Sequence, residues 1–301
     1  MPNILRSSTR TFLLQYDSAG SLRWSAEQVD ADHVLFGGLA VFQAGGAVLA
    51  GYTDYHLATP RLITTAYDAD GVERWTESYD GPLHDGASAA DVAIDATGSV
   101  YVAGTFNPQG SPYGFLALKY SPAGDLIWTG TYRGAAAMPG GVPRRIAIGP
   151  LGDVFLTGKV NGVQGTLDYG TVRFDANGVL RWVARYDGGS QGYDEAHGMC
   201  LDTFGSVYIT GESAGLGTNV DFATIKYGPP PPSCPSGDDC RMGDVNGDCV
   251  VNLTDITLLL SNFGLDASVG IAPANGDLDF SGAVSLADLT LLLSAFGSDC
   301  R

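Results

Sequence analysis

Basic residues are scarce in this chain: 16 lysines and arginines stand against 33 acids, a net charge of −17. Such a surface repels phosphate backbones, which excludes nucleic acid as a partner. Long apolar runs are missing too. A membrane-spanning helix needs about 18 successive apolar residues, and the leucine clusters at 258–260 and 291–293 are far shorter, so no membrane span is expected. Methionine is rare, with 4 residues against 42 glycines, a balance that favours tight turns over long helices. The opening segment, MPNILRSSTRTFLLQYDSAG, lacks the apolar centre of a secretory leader, so either the start is truncated or export follows another route. No phosphate-binding glycine loop, zinc-ligand spacing or G-x-S-x-G occurs. Aromatics at 10 % are too plentiful for a disordered chain.

What is present is repetition. Trp24, Trp75, Trp128 and Trp182 lie 51, 53 and 54 residues apart. The aromatics Tyr16, Tyr67, Tyr120, Phe174 and Tyr227 keep the same rhythm, as do the turn glycines Gly20, Gly71, Gly124 and Gly178. A further set, Gly51, Gly104, Gly158 and Gly211, ends a different segment. Each unit reads as four short strands. In the second they are Ala90–Asp95, Ser99–Gly104, Phe115–Tyr120 and Leu126–Tyr132, and Ser99–Gly104 alternates like a half-buried strand. The turns DSAG, DADG, SPAG and DANG place glycine where a tight hairpin needs positive φ.

Repeats of this length with four antiparallel strands predict an all-β, propeller-like domain of about four blades over residues 1–227. The motifs DATGSVYVAG with KYSPAGDLIW, and DTFGSVYITG, resemble the bacterial β-propeller repeat family across residues 11–227. The first and last units are incomplete. The N-terminal strand pair either completes the last unit or belongs to a larger ring.

Pro229–Pro232 then form a semi-rigid spacer, and residues 228–242 read as a linker. Beyond it the acid content rises: residues 238–301 hold 10 acids and 2 bases. Cys234, Cys240, Cys249 and Cys300 crowd this end, which predicts at least one disulfide and an oxidising compartment, with Cys200 left free. A second duplication, offset by 33 residues, pairs Asp244 with Asp277, Asp255 with Asp288, and the leucines 258–260 with 291–293.

Each copy opens with a twelve-residue loop carrying oxygen donors at alternate positions. The first offers Asp244, Asn246, Asp248, the carbonyl of Val250, Asn252 and Asp255. The second offers Asp277, Asp279, Ser281, the carbonyl of Ala283, Ser285 and Asp288. Hard oxygens converging from positions 1, 3, 5, 7, 9 and 12 suit calcium, one ion per loop. Ser281 stands in the second loop where the first has Asp248, so the first, with three Asp and two Asn, should bind more tightly. It also departs from the usual pattern, with Cys249 where a glycine makes the sharp turn.

The segment GDVNGDCVVNLTDITLLLSNFG with GDLDFSGAVSLADLTLLLSAFG resembles a type I dockerin, over residues 243–297 of a domain assigned to 243–301. The resemblance implies a small α-helical domain with two EF-hand-like calcium loops, which docks on a cohesin-like scaffold protein. It implies recognition through Leu253, Thr254, Leu260 and Ser261, and through Leu286, Ala287, Leu293 and Ser294. It also implies an extracellular or cell-surface setting, with carbohydrate as a second class of ligand.

Two functions follow. One is a non-catalytic binding or display protein whose propeller is carried by the dockerin. The other is a polysaccharide-degrading enzyme, a hydrolase or lyase, attached the same way. Residue patterns name no catalytic group. His197 and Cys200 read as a rim histidine and a buried cysteine, and Asp194–Glu195 as a solvated loop pair.

Overall fold

The computed structural model describes residues 11–28, 34–53, 59–84, 86–107, 113–135, 138–162, 165–188, 192–202, 205–215, 220–228, 251–261, 263–264, 278 and 284–297. The described chain is mostly β, arranged as repeated antiparallel sheets, with two short helices near the C-terminus.

Nineteen strands are described, and they divide between two compact units. In the first unit, β1 (Thr11–Tyr16) and β2 (Leu22–Gln28) form a two-stranded sheet. Next come β3 (Val34–Val41), β4 (Ala47–Thr53), β5 (Leu62–Tyr67) and β6 (Glu73–Tyr79), in sequential order. A like sheet follows from β7 (Ala87–Ile94), β8 (Val100–Phe106), β9 (Gly114–Tyr120) and β10 (Leu126–Tyr132). A short ribbon pairs β11 (Gly134–Ala135) with β12 (Met138–Pro139). The third sheet runs through β13 (Gly141–Ile148), β14 (Val154–Asn161), β15 (Leu167–Phe174) and β16 (Leu180–Tyr186). In the second unit, β17 (Glu195–Leu201), β18 (Val207–Ser213) and β19 (Asp221–Tyr227) make a three-stranded sheet.

The hairpin turns have one chemistry. The Oδ1 of Asp17, Asp68, Asp95 and Asp175 each accepts from the amides two and four residues on, at 2.8–3.0 Å. Ser121 does the same through its hydroxyl. The glycines that follow, Gly20, Gly71, Gly124 and Gly178, have φ between 80° and 99°, as their spacing predicts.

Tryptophan links successive repeats. Trp24 Nε1 donates to the Ala69 carbonyl at 2.9 Å, and Trp75 Nε1 donates to the Pro122 carbonyl at 3.2 Å. Each indole lies against the turn glycine of the next repeat. A Cβ on Gly71 would sit 2.6 Å from the Trp24 ring, and one on Gly124 2.9 Å from Trp75. The core of the first unit gathers Val48, Leu62, Val92, Val100, Val102, Leu116 and Leu118 from its two four-stranded sheets. Strand β8 corrects the half-buried expectation for Ser99–Gly104: each residue from Val100 to Phe106 is buried, because both faces are covered. In the second unit Trp182 packs on Tyr227, ring centroids 5.5 Å apart, over Phe155, Val207 and Ile209.

Candidate functional site

The clearest candidate lies at the C-terminus, where the duplicated segments form α1 (Leu253–Ser261) and α2 (Leu286–Ser294). Both helices start in the same way. The Asn252 amide donates to Asp255 Oδ2 at 2.8 Å, and the Asn252 side-chain oxygen accepts from the Thr254 amide. In the second copy the Ser285 amide donates to Asp288 Oδ2 at 2.8 Å, and Ser285 Oγ accepts from the Ala287 amide. These reciprocal pairs are capping boxes, which satisfy amides that have no partner inside the helix. Asp288 Oδ1 also accepts from the Leu278 amide at 2.6 Å. Asp255 and Asp288 are both fully buried.

The two halves grip each other reciprocally. Gly264 N donates to Val284 O, and Gly297 N donates to Val251 O, both at 2.9 Å. Between the helices lies a core of Val251, Leu259, Leu278, Val284, Leu292 and Ala295. Partners across the duplication have matched environments. Leu253 and Leu286 are 70 % and 69 % exposed, and Leu260 and Leu293 are 50 % and 52 % exposed. Thr254, Ala287 and Ser294 are exposed beside them. A duplicated leucine surface is thus turned outward while the other leucines close the core.

Of the twelve expected metal donors, Asn252, Asp255, Ser285 and Asp288 are described, and they sit at the helix starts. Asp244, Asn246, Asp248, Val250, Asp277, Asp279, Ser281 and Ala283 lie outside the described residues, as do Cys234, Cys240, Cys249, Cys300 and the side chain of Ser261. The four described donors present oxygen alone, a set that fits a hard cation.

In the β region, two sequence-based expectations need correction. Cys200 is exposed and unpaired, not buried, and His197 Nε2 instead lies 3.7 Å from Glu212. Asp194 and Glu195 do not solvate a loop; both are buried. Asp194 accepts from the amides of Gly188 and Ala214, and Glu195 pairs with Lys159 at 3.3 Å and with the Tyr193 hydroxyl. Asp168, Asp187 and Asp194 cluster nearby, and Arg185 is paired with Asp168. Burial pushes the Asp168 carboxyl up, Arg185 pulls it back, and Asp187 and Asp194 raise it again. Most of these partners come from other strands and loops, which is why adjacency in sequence misled.

Sequence reasoning also missed a bulge repeated in the first strand of the sheets. The pairing slips between Phe36 and Gly38, between Ala89 and Asp91, and between Ala196 and Gly198. The extra residues are Gly37, Ala90 and His197. Arg144 holds the equivalent place in the third repeat, because offsets of 53, 54 and 53 link these four residues just as they link Gly51, Gly104, Gly158 and Gly211. Bulges re-aim side chains and often lie beside functional sites.

Residues 242–296 match the model of the dockerin type I domain. No curated protein matches the chain. Among solved structures, an endo-arabinase from Bacteroides thetaiotaomicron VPI-5482 aligns at 10 % identity and TM-score 0.39, covering 69 % of this chain and 82 % of that one. A protein of unknown function from Bacteroides caccae aligns at 12 % identity and TM-score 0.36, with coverages of 67 % and 82 %. One from Dyadobacter fermentans DSM 18053 aligns at 11 % identity and TM-score 0.39, with coverages of 71 % and 81 %. Likenesses this weak carry no argument about activity. The C-terminal segment is a dockerin type I module, preceded by a β-rich region of repeated sheets.

Proposed function

We propose that the dockerin module, residues 243–301, binds two calcium ions and docks this protein onto a cohesin-like scaffold, displaying the repeat region as a non-catalytic binding domain. The observation that carries this reading is the matched outward pair Leu253/Leu260 and Leu286/Leu293, set on two helices that grip each other reciprocally. Loops 244–255 and 277–288 would hold the ions. Without a cation, Asp244, Asp248 and Asp255 repel one another, as do Asp277, Asp279 and Asp288. A module of about 60 residues also buries little surface, so metal would supply much of its folding free energy.

In this reading residues 1–227 form a propeller and residues 228–242 the spacer, with the whole acting outside the cell or at its surface. Among the described residues no helix is long and apolar enough to cross a membrane. An enzyme borne by the dockerin is the competing reading. The buried carboxylates favour binding over catalysis, since Asp168 is engaged by Arg185, Glu195 by Lys159, and Asp194 by two backbone amides.

The test is capture of the full chain by an immobilised panel of type I cohesins, with calcium and with chelator. Calcium-dependent retention is the expected result. Equal retention under both conditions, or none on any cohesin, defeats the docking reading.

A further inference from the structure

A chain of net charge −17 offers few places that welcome an anion. One such place is a cavity of ≈ 440 Å³ in the first unit, with no carboxylate among its described lining residues. It opens where the bulges of β3 and β7 carry Gly37 and Ala90, so no bulky side chain fills it. The two strands also approach closely: a Cβ on Gly37 would lie 2.7 Å from the Ala89 carbonyl oxygen.

By sequence offset, the position equivalent to these bulges carries a guanidinium in the third repeat, on Arg144. Arg144 and Arg145 line one side of the cavity, and both are exposed. Asp91 is within electrostatic reach of Arg145, and its carboxylate also accepts from the amides of Val92 and Ile146 at 3.0 and 3.2 Å. Three rings, Phe36, Tyr52 and Tyr113, border the opening, and Phe36 and Tyr113 are exposed. The Ser88 and Thr105 hydroxyls, bonded to each other, complete the lining.

The geometry points to a binding site for a carboxylated sugar, a uronate unit of an acidic polysaccharide. A guanidinium fork matches a carboxylate. The ring faces suit the apolar face of a pyranose, and the hydroxyls suit its polar edge. The volume falls in the range of small-ligand sites. This inference rests on the reading of the repeat region as a binding domain and names its ligand class.

The test is calorimetric titration of the full chain with trigalacturonate and with neutral galactotriose, in chelator, where docking is switched off. Failure here is therefore separate from failure to bind a cohesin. Trigalacturonate should bind at least tenfold more tightly than the neutral sugar. Arg144→Ala should weaken it at least tenfold, and Arg144→Lys less. Tyr113→Ala should weaken both sugars. It carries the test independently if Arg144→Ala does not fold. Equal affinity for the two sugars, no binding at millimolar trigalacturonate, or unchanged affinity in both alanine variants overturns the proposal.

Discussion

The Gly297 amide donates to the Val251 carbonyl at 2.9 Å, so the end of α2 closes on the residue that precedes the first helix. Its mirror, from Gly264 to Val284, makes the closure two-fold. Each half therefore completes the other, and the exposed leucines come in equivalent pairs.

That equivalence predicts two interchangeable docking poses. Leu253→Asp or Leu286→Asp alone should leave cohesin binding within a few-fold of the parent, since the other half remains intact. The double variant should lose binding. Surface plasmon resonance on an immobilised cohesin checks this, and loss on either single change would mean a single pose.

The tryptophan interlock predicts a large stability term. Trp75→Ala removes the bond to Pro122 and the packing against Tyr120, ring centroids 5.9 Å apart. A cost of about 3 kcal/mol is expected, measured by urea unfolding.

A glycine pair separates backbone strain from steric clash. Gly20 and Gly71 have φ of 82° and 80°, yet a Cβ at Gly20 meets nothing within 4 Å while one at Gly71 meets the Trp24 ring. Gly20→Ala should cost about 1 kcal/mol from φ alone. Gly71→Ala should cost clearly more, and equal costs would mean that the indole gives way freely.

Acid should weaken the hairpin turns. Burial pushes the Asp95 carboxyl up, but bonds from Thr97, Ser99 and Tyr101 outweigh it and hold the group below its usual value of 3.8. A depressed carboxylate adds stability that is present above 3.8 and lost as pH falls through the folded value. Asp95→Asn keeps an acceptor and removes the charge. It should unfold at lower urea than the parent at pH 7, and the gap should narrow below pH 3.8. A constant gap would show that charge is not involved.

Much of this was legible in the sequence because repetition amplifies weak signals. Trp24, Trp75, Trp128 and Trp182 marked equivalent strands, and the glycines four residues before them marked the turns. The 33-residue offset likewise foretold two helices with matching faces. The bulges were hidden, because an extra residue in a strand changes register without changing composition. The buried state of Asp194 was hidden too, since its partners Gly188 and Ala214 come from segments before and after it. Arg144 looked like one base among 16 until the fold placed it in one cavity lining with Gly37 and Ala90.

The central claim is that metal organises the docking module. Isothermal titration of the metal-free full chain with calcium tests it most directly. Two ions per chain should bind, the tighter one at loop 244–255, and Asp244→Ala should remove that site and leave the weaker one. Absence of binding, or an unchanged stoichiometry in Asp244→Ala, would contradict the account.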